Sequence, residues 1–193
     1  MYESLPFKNK ARLYTYTCDL RSTDQIDKMA LSIMDDVGVV TILVNNAGIV
    51  YGKYLMDLSY DEFTNVISVN LLAHFYLIQK FLPNMLGEAF PKYAQLKSDA
   101  HRHKQDKSKK PVYVDPSCAT KPARGHIVCI NSVAGCVPAP GLSDYCASKA
   151  GAILLSEGLR EELDFAGLSN QVKVTNIMPY FINTGMFNGT HSK

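Results

Sequence analysis

Ser132, Tyr145 and Lys149 are the residues of this chain whose types and spacing suit proton transfer. The tyrosine follows the serine by thirteen positions, and the lysine follows the tyrosine by four. Residues 143–166 read as a helix, so Tyr145 and Lys149 share a face one turn apart, with Cβ atoms about 5–6 Å from each other. A free phenol titrates near about 10, and bringing it to about 7 takes roughly 4 kcal/mol of preference for the phenolate. A cation fixed beside it in a cleft can supply that preference. Ser132 ends the apolar run HIVCIN, which reads as a buried strand, so its hydroxyl can hold a substrate oxygen beside the phenol. Tyr-x-x-x-Lys by itself equally describes a tyrosine lying along a lysine on a helix surface. The serine, the preceding strand and the upstream Asn45-Asn46-Ala47-Gly48 lift it above that reading.

With NNAG at 45–48, Asn70 in SVNLL, Ser132 in INSVAG, Tyr145 and Lys149 in YCASK, and PYFINTGMF at 179–187, the chain resembles the short-chain dehydrogenase/reductase family. The last segment looks most like the branch of epidermal retinol dehydrogenases and lipid-droplet 17-beta-hydroxysteroid dehydrogenases. The resemblance implies an oxidoreductase passing a hydride between NAD or NADP and a lipophilic alcohol or ketone, such as a retinoid or steroid. It implies that Tyr145 exchanges the hydroxyl proton, and that Lys149 holds the nicotinamide ribose and lowers the phenol. Ser132 would orient the substrate oxygen and Asn70 would hold a relay water. Asp19 and Leu20 at the adenine, Asn46, Ala47 and Gly48 along the strand end, and Pro179, Ile182 and Thr184 at the carboxamide would complete the cofactor contacts. For Asp19 a turn aspartate capping the next helix is an equal alternative, and for Asn70 the plain alternative is a solvent-facing side chain. The resemblance also implies homodimers through the helices at 60–82 and 143–166, and an intracellular place at the endoplasmic reticulum or lipid-droplet surface.

These residues need a framework, and the pattern of the chain supplies an α/β one. Arg12–Cys18, RLYTYTC, alternates and is rich in strand formers. Ser22 or Thr23 caps a helix whose apolar positions Ile26, Met29, Ala30, Ile33, Met34 and Val37 recur at helical spacing, and Gly38 stops it. Thr41–Asn45, TILVN, is a continuous apolar run of the kind found in strands covered on both faces. Ser59 and Glu62 form a capping box for a long helix to about Leu82. That helix contains the longest apolar stretch, but Asn65, Asn70, His74, Gln79 and Lys80 make it amphipathic rather than a membrane span. Residues 172–177 read as a further strand.

A phosphate-binding turn of the Thr-Gly-x-x-x-Gly-x-Gly kind occurs nowhere in the chain. Such a turn joins the first strand of a dinucleotide fold to its first helix. The expected fold is therefore a partial doubly wound parallel sheet in a single incomplete domain over 1–193, lacking the first two strands. Strand 41–45 would then be an edge. The residue that selects NAD or NADP ends the second strand, so the sequence does not assign the cofactor.

The 193 residues are 47% hydrophobic with a net charge of +2, enough for one core and no general reason to bind nucleic acid. Five cysteines without paired spacing fit a reduced, intracellular protein. Residues 87–122 break the pattern, with nine Lys/Arg against four Asp/Glu over 87–125, and read as a disordered basic surface insertion. His101, His103 and Cys118 are too poorly spaced for a metal site. Asn188-Gly189-Thr190 matches a glycosylation acceptor by chance. Two other functions stand beside the oxidoreductase: a non-catalytic remnant that pairs with another protein through its open sheet edge, and binding of RNA or a membrane through the basic insertion.

Overall fold

The protein, a computed structural model, is described over residues 12–89 and 125–182. The lead-in at 1–10, most of the expected insertion and Thr184 lie outside those residues. Helix α1 spans Thr23–Asp36; Ser22 caps it by accepting a hydrogen bond from the Gln25 amide. Gly38, at φ +93°, turns the chain out of the helix in a conformation that costs other residues strain. Strand β1 is Ile42–Asn45. The expected capping box is present, with Ser59 and Glu62 closing the start of α2, Tyr60–Ile67. A single π-turn at Ser68–Leu72 then leads directly into α3, Ala73–Leu86. β2 is Gly125–Ile130, α4 is Ser143–Phe165 and β3 is Val172–Ile177.

The strands form one parallel sheet in the order β1-β2-β3, with Asn45 beside Cys129 and Cys129 beside Asn176. Parallel neighbours need a crossover, and α3 and α4 supply the covering layer. Leu43, Ile127 and Val172 of the sheet meet Ile78, Phe81, Leu82 and Met85 of α3 and Leu159 and Leu163 of α4 in one core. The run Tyr60–Leu86 is long and apolar enough to cross a membrane by length and composition. In the fold it buries Val66, Asn70, His74, Ile78, Phe81 and Met85 against the rest of the protein.

Two expectations change. Residues 12–18 form no strand; Leu13 and Tyr14 are exposed, and Tyr16 ties the segment to α1 through Asp36. Strand-forming residues without a neighbouring strand have no ladder to join. β1 is also not covered on both faces. It alternates exposed and buried, with Ile42 63% and Val44 52% exposed, because α3 and α4 cover only one side of the sheet.

Candidate active site

The carboxyl ends of the three strands carry polar residues on the covered face, where the lower half of the same face is apolar. Asn45, Asn131 and Ser132 are buried there. Ser132 leaves β2 in extended conformation and caps a short turn at Val133–Gly135, its hydroxyl accepting from the Ala134 amide at 3.1 Å. That turn is fixed to the end of β3 by the Val133 amide, which donates to the Pro179 carbonyl at 3.1 Å. It packs on α4 so closely that a Cβ on Gly135 would lie 2.8 Å from the Lys149 carbonyl carbon. The serine is thereby held against the helix that carries the other two residues.

The phenol of Tyr145 is buried and hydrogen-bonded with Ser132. Lys149 is 3% exposed, with Nζ 5.7 Å from the Tyr145 ring centroid. The ammonium donates to the Ile130 carbonyl at 2.7 Å. Burial brings its pKa down to about 8. The sequence led us to expect a phenol lowered by this lysine. Instead, burial raises the Tyr145 pKa, and the Ser132 hydroxyl offsets that only in part. The ammonium points to the Ile130 carbonyl at the end of β2, and burial of the phenol outweighs what lowers it.

Asn70 sits in the π-turn and is fully buried, so the solvent-facing alternative falls. Its amide nitrogen donates to the Ile49 carbonyl and to the Ser148 hydroxyl, both at 3.0 Å, while its oxygen accepts from the Ile49 amide at 2.8 Å. Ser148 in turn donates to the Tyr145 carbonyl at 2.7 Å. The irregular turn was anticipated, but the side chain clamps the loop after β1 to α4 rather than standing free for a water. That clamp brings Gly48 beside the lysine: a Cβ there would be 3.6 Å from Lys149 Nζ and 3.4 Å from Asn70 Oδ1. Asn46 is exposed, and Ala47 and Gly48 are half-buried.

Asp19 and Leu20 lie in the turn before α1, apart from this cluster. The Asp19 carboxylate takes the Arg21 guanidinium and backbone amide, which hold its pKa down to about 2, and Arg21 reaches on to Asn65 of α2. Asp19 thus orders the turn before α1, while Ser22 is the residue that caps the helix. Ile182 is 54% exposed, beyond β3. Ser148 was not singled out from sequence; its only signal was a small polar residue beside Lys149. The network of Asn131, Asn176, Ser156 and Glu157 was missed as well, because strand-end asparagines resemble turn residues until the register aligns them.

The chain belongs to the short chain dehydrogenase family, whose profile matches residues 3–101 and 116–193. It is 34% identical over 183 residues to Epidermal retinol dehydrogenase 2 of Mus musculus, covering 95% of this chain and 48% of that protein. With Retinol dehydrogenase 10 of Homo sapiens it shares 32% over 187 residues, 97% of this chain and 44% of the other. The chain thus spans about half the length of the curated relatives it matches. Among solved structures, a short-chain dehydrogenase from Streptomyces avermitilis matches in fold with a TM-score of 0.63 at 23% identity, covering 89% of this chain and 50% of that one. A metagenomic short-chain oxidoreductase, solved in complex with NADP, gives 0.61 at 28% identity, covering 86% and 58%.

Proposed function

We propose that this chain carries the proton-transfer half of a nicotinamide-dependent oxidoreductase acting on a lipophilic alcohol or ketone. The observation that carries the reading is the convergence of Ser132, Tyr145 and Lys149, all buried, at the ends of adjoining elements. The chemistry that NAD or NADP supplies when bound is hydride transfer. The residues present fit such a group on one side: Gly48 leaves the space beside Lys149 and Asn70 free of a side chain. Asn46, Ala47, Gly48 and Lys149 would hold it there, with Pro179, Ile182 and Thr184 along the carboxamide edge and Asp19 and Leu20 at the adenine end. Tyr145, kept protonated at neutral pH by burial, donates its proton to a substrate oxygen as the carbonyl is reduced. Ser132 holds that oxygen. Lys149 keeps a positive charge behind the phenol. The retinol dehydrogenase names among its relatives support a retinoid as the lipophilic substrate. A steroid substrate, an intracellular place at the endoplasmic reticulum or lipid droplets, peripheral membrane contact and a homodimer are further parts of the same proposal.

The test is titration of the full chain with NADH and NADPH, followed by turnover of retinal and a ketosteroid. Saturable binding is expected, and Tyr145→Phe should lower kcat/KM by about 10²–10⁴-fold while leaving binding intact. A second reading, a non-catalytic partner protein, is favoured by one observation, the exposed apolar side chains of Ile42 and Val44 on β1, the terminal strand of the sheet among the described residues. Absence of binding at millimolar cofactor would select it. Binding of RNA or lipid lost on deletion of 88–122 would instead select the basic segment as the working surface.

A further inference from the structure

His74 is a buried titratable side chain near the site that the reaction above does not use. It lies on α3 one turn after Asn70 and is 2% exposed, yet neither ring nitrogen has a hydrogen-bond partner among the described residues. A buried polar group without a partner costs about 1–3 kcal/mol, so such groups are rare unless a small ligand satisfies them. His74 does not stand alone. Asn45, at the end of β1, is equally buried; its amide nitrogen meets Cys129 Sγ at 3.9 Å, and its oxygen is unpartnered. Asn70, one turn before His74, and the Lys149 ammonium lie within 3.4 and 3.6 Å of the same point above Gly48, and Asn45 is paired with Cys129, whose neighbour Ile130 accepts from that ammonium. Burial, and after it the positive charge of Lys149, keeps the imidazole neutral. A neutral imidazole offers one donor and one acceptor, the asparagine oxygen accepts, and the ammonium has protons left after Ile130. A buried water typically makes about three hydrogen bonds to groups of this kind.

We propose that Asn45 and His74 hold an internal water against the Lys149 ammonium, which makes His74 a positioning residue for that lysine. The water accepts from Nζ and donates to the Asn45 oxygen, and one imidazole nitrogen closes the shell. Nζ is then held from two sides, by the Ile130 carbonyl and by the water, and cannot swing away from the floor beside Gly48. The water site follows from the cluster itself; the positioning role rests on the reaction proposed above.

The test uses the full chain with nitrogen-15-labelled histidine, and the variants His74→Gln and His74→Leu. The expected spectrum has one tautomer of a neutral ring, with a ring nitrogen shifted by hydrogen bonding and cross-relaxing with a long-lived water. A ring averaged between tautomers, with no water contact, overturns the proposal. Glutamine can still hold the water and leucine cannot. His74→Leu should therefore weaken NADH binding or kcat by about tenfold, the worth of one hydrogen bond, with His74→Gln within about threefold of the parent. Equal losses in both variants, each still folded by circular dichroism, overturn the positioning role. A chain with the expected ring spectrum but no cofactor binding overturns the oxidoreductase reading and leaves the water site standing.

Discussion

The two faces of the same three strands have different fates. On the covered face, Leu43, Ile127 and Val172 sit in the core, and one step along the strands Asn45, Cys129 and Asn131 take their place. On the other face Ile42, Val44 and Ile177 are 63%, 52% and 45% exposed, and His126 finds its hydrogen bond within the sheet, with Thr175 at 2.8 Å. Side chains alternate along a strand, so residues of nearly identical hydrophobicity part company at every step. The chemistry follows the covered face alone. A cation such as Lys149 gains influence only where water is excluded, and water is excluded only under α3 and α4.

That contrast should show directly in stability. Ile127→Ala removes a fully buried side chain from the centre of the covered face and should cost about 2–5 kcal/mol in urea unfolding. A loss below one kcal/mol would mean that the core beneath the site is loosely packed. The next effect comes from the polar end of the same face. Lys149 has its pKa lowered from 10.5 to about 8 in the fold, so the unfolded chain binds its proton more tightly. Stability should therefore rise with pH between about 8 and 10.5, by an amount on the order of 3 kcal/mol. His74, lowered from 6.5 to about 4, acts in the same direction at lower pH: its contribution is complete above 6.5 and is lost as pH falls toward 4. Lys149→Met should flatten the alkaline slope and, by removing a cation that depresses His74, also reduce the acid slope somewhat, whereas His74→Gln should flatten the acid slope and leave the alkaline one. Tyr145, raised by burial, opposes the lysine only above its own usual range, so urea curves at pH 8 to 10 separate the two.

Where the sequence could be read, it was read through local periodicity. The capping box at Ser59 and Glu62, the stop at Gly38 and the strands after residues 40, 124 and 171 each rest on a few adjacent residues, and each is found. The irregularity at Asn70 was legible because an asparagine inside an apolar helix asks for a reason. Properties that depend on what lies opposite were not legible. RLYTYTC has every local mark of a strand but no strand beside it among the described residues. TILVN reads as doubly covered because Ile42 and Val44 carry no sign of which layer is present. The Lys149 ammonium was expected to serve the phenol because the i,i+4 spacing brings the two residues near each other. The competing acceptor, the Ile130 carbonyl, is a backbone group that no side-chain pattern reveals.

The seam between the Ser132 turn and α4 tests how tightly the covered face is built. A Cβ on Gly135 would meet the Lys149 carbonyl carbon at 2.8 Å and the Ala150 nitrogen at 2.9 Å, both backbone atoms. Gly135→Ala must therefore push the turn off the helix, at about 1–3 kcal/mol, and should separate Ser132 from Tyr145. Gly151 offers the control on the same helix. A Cβ there meets the Leu71 side chain, whose Cδ2 is 2.8 Å away and can rotate aside. Gly151→Ala should cost less than Gly135→Ala and leave the phenol's hydrogen bond with Ser132 intact. Ultraviolet difference spectra of Tyr145 would read the distinction.

The smallest effect belongs to the open face. Ile42→Thr and Val44→Thr keep a β-branched side chain, and with it the strand preference, while removing apolar surface that faces outward. Each should shift the unfolding free energy by no more than about 0.5 kcal/mol. The same exchange should reduce self-association, since an apolar strand edge is a template for pairing with another chain. Sedimentation of the double variant against the parent measures that separately from folding. A destabilisation of the double variant comparable to that of Ile127→Ala would mean that residues 42 and 44 are covered in solution. The contrast between the two faces would then have to be redrawn around whatever covers them.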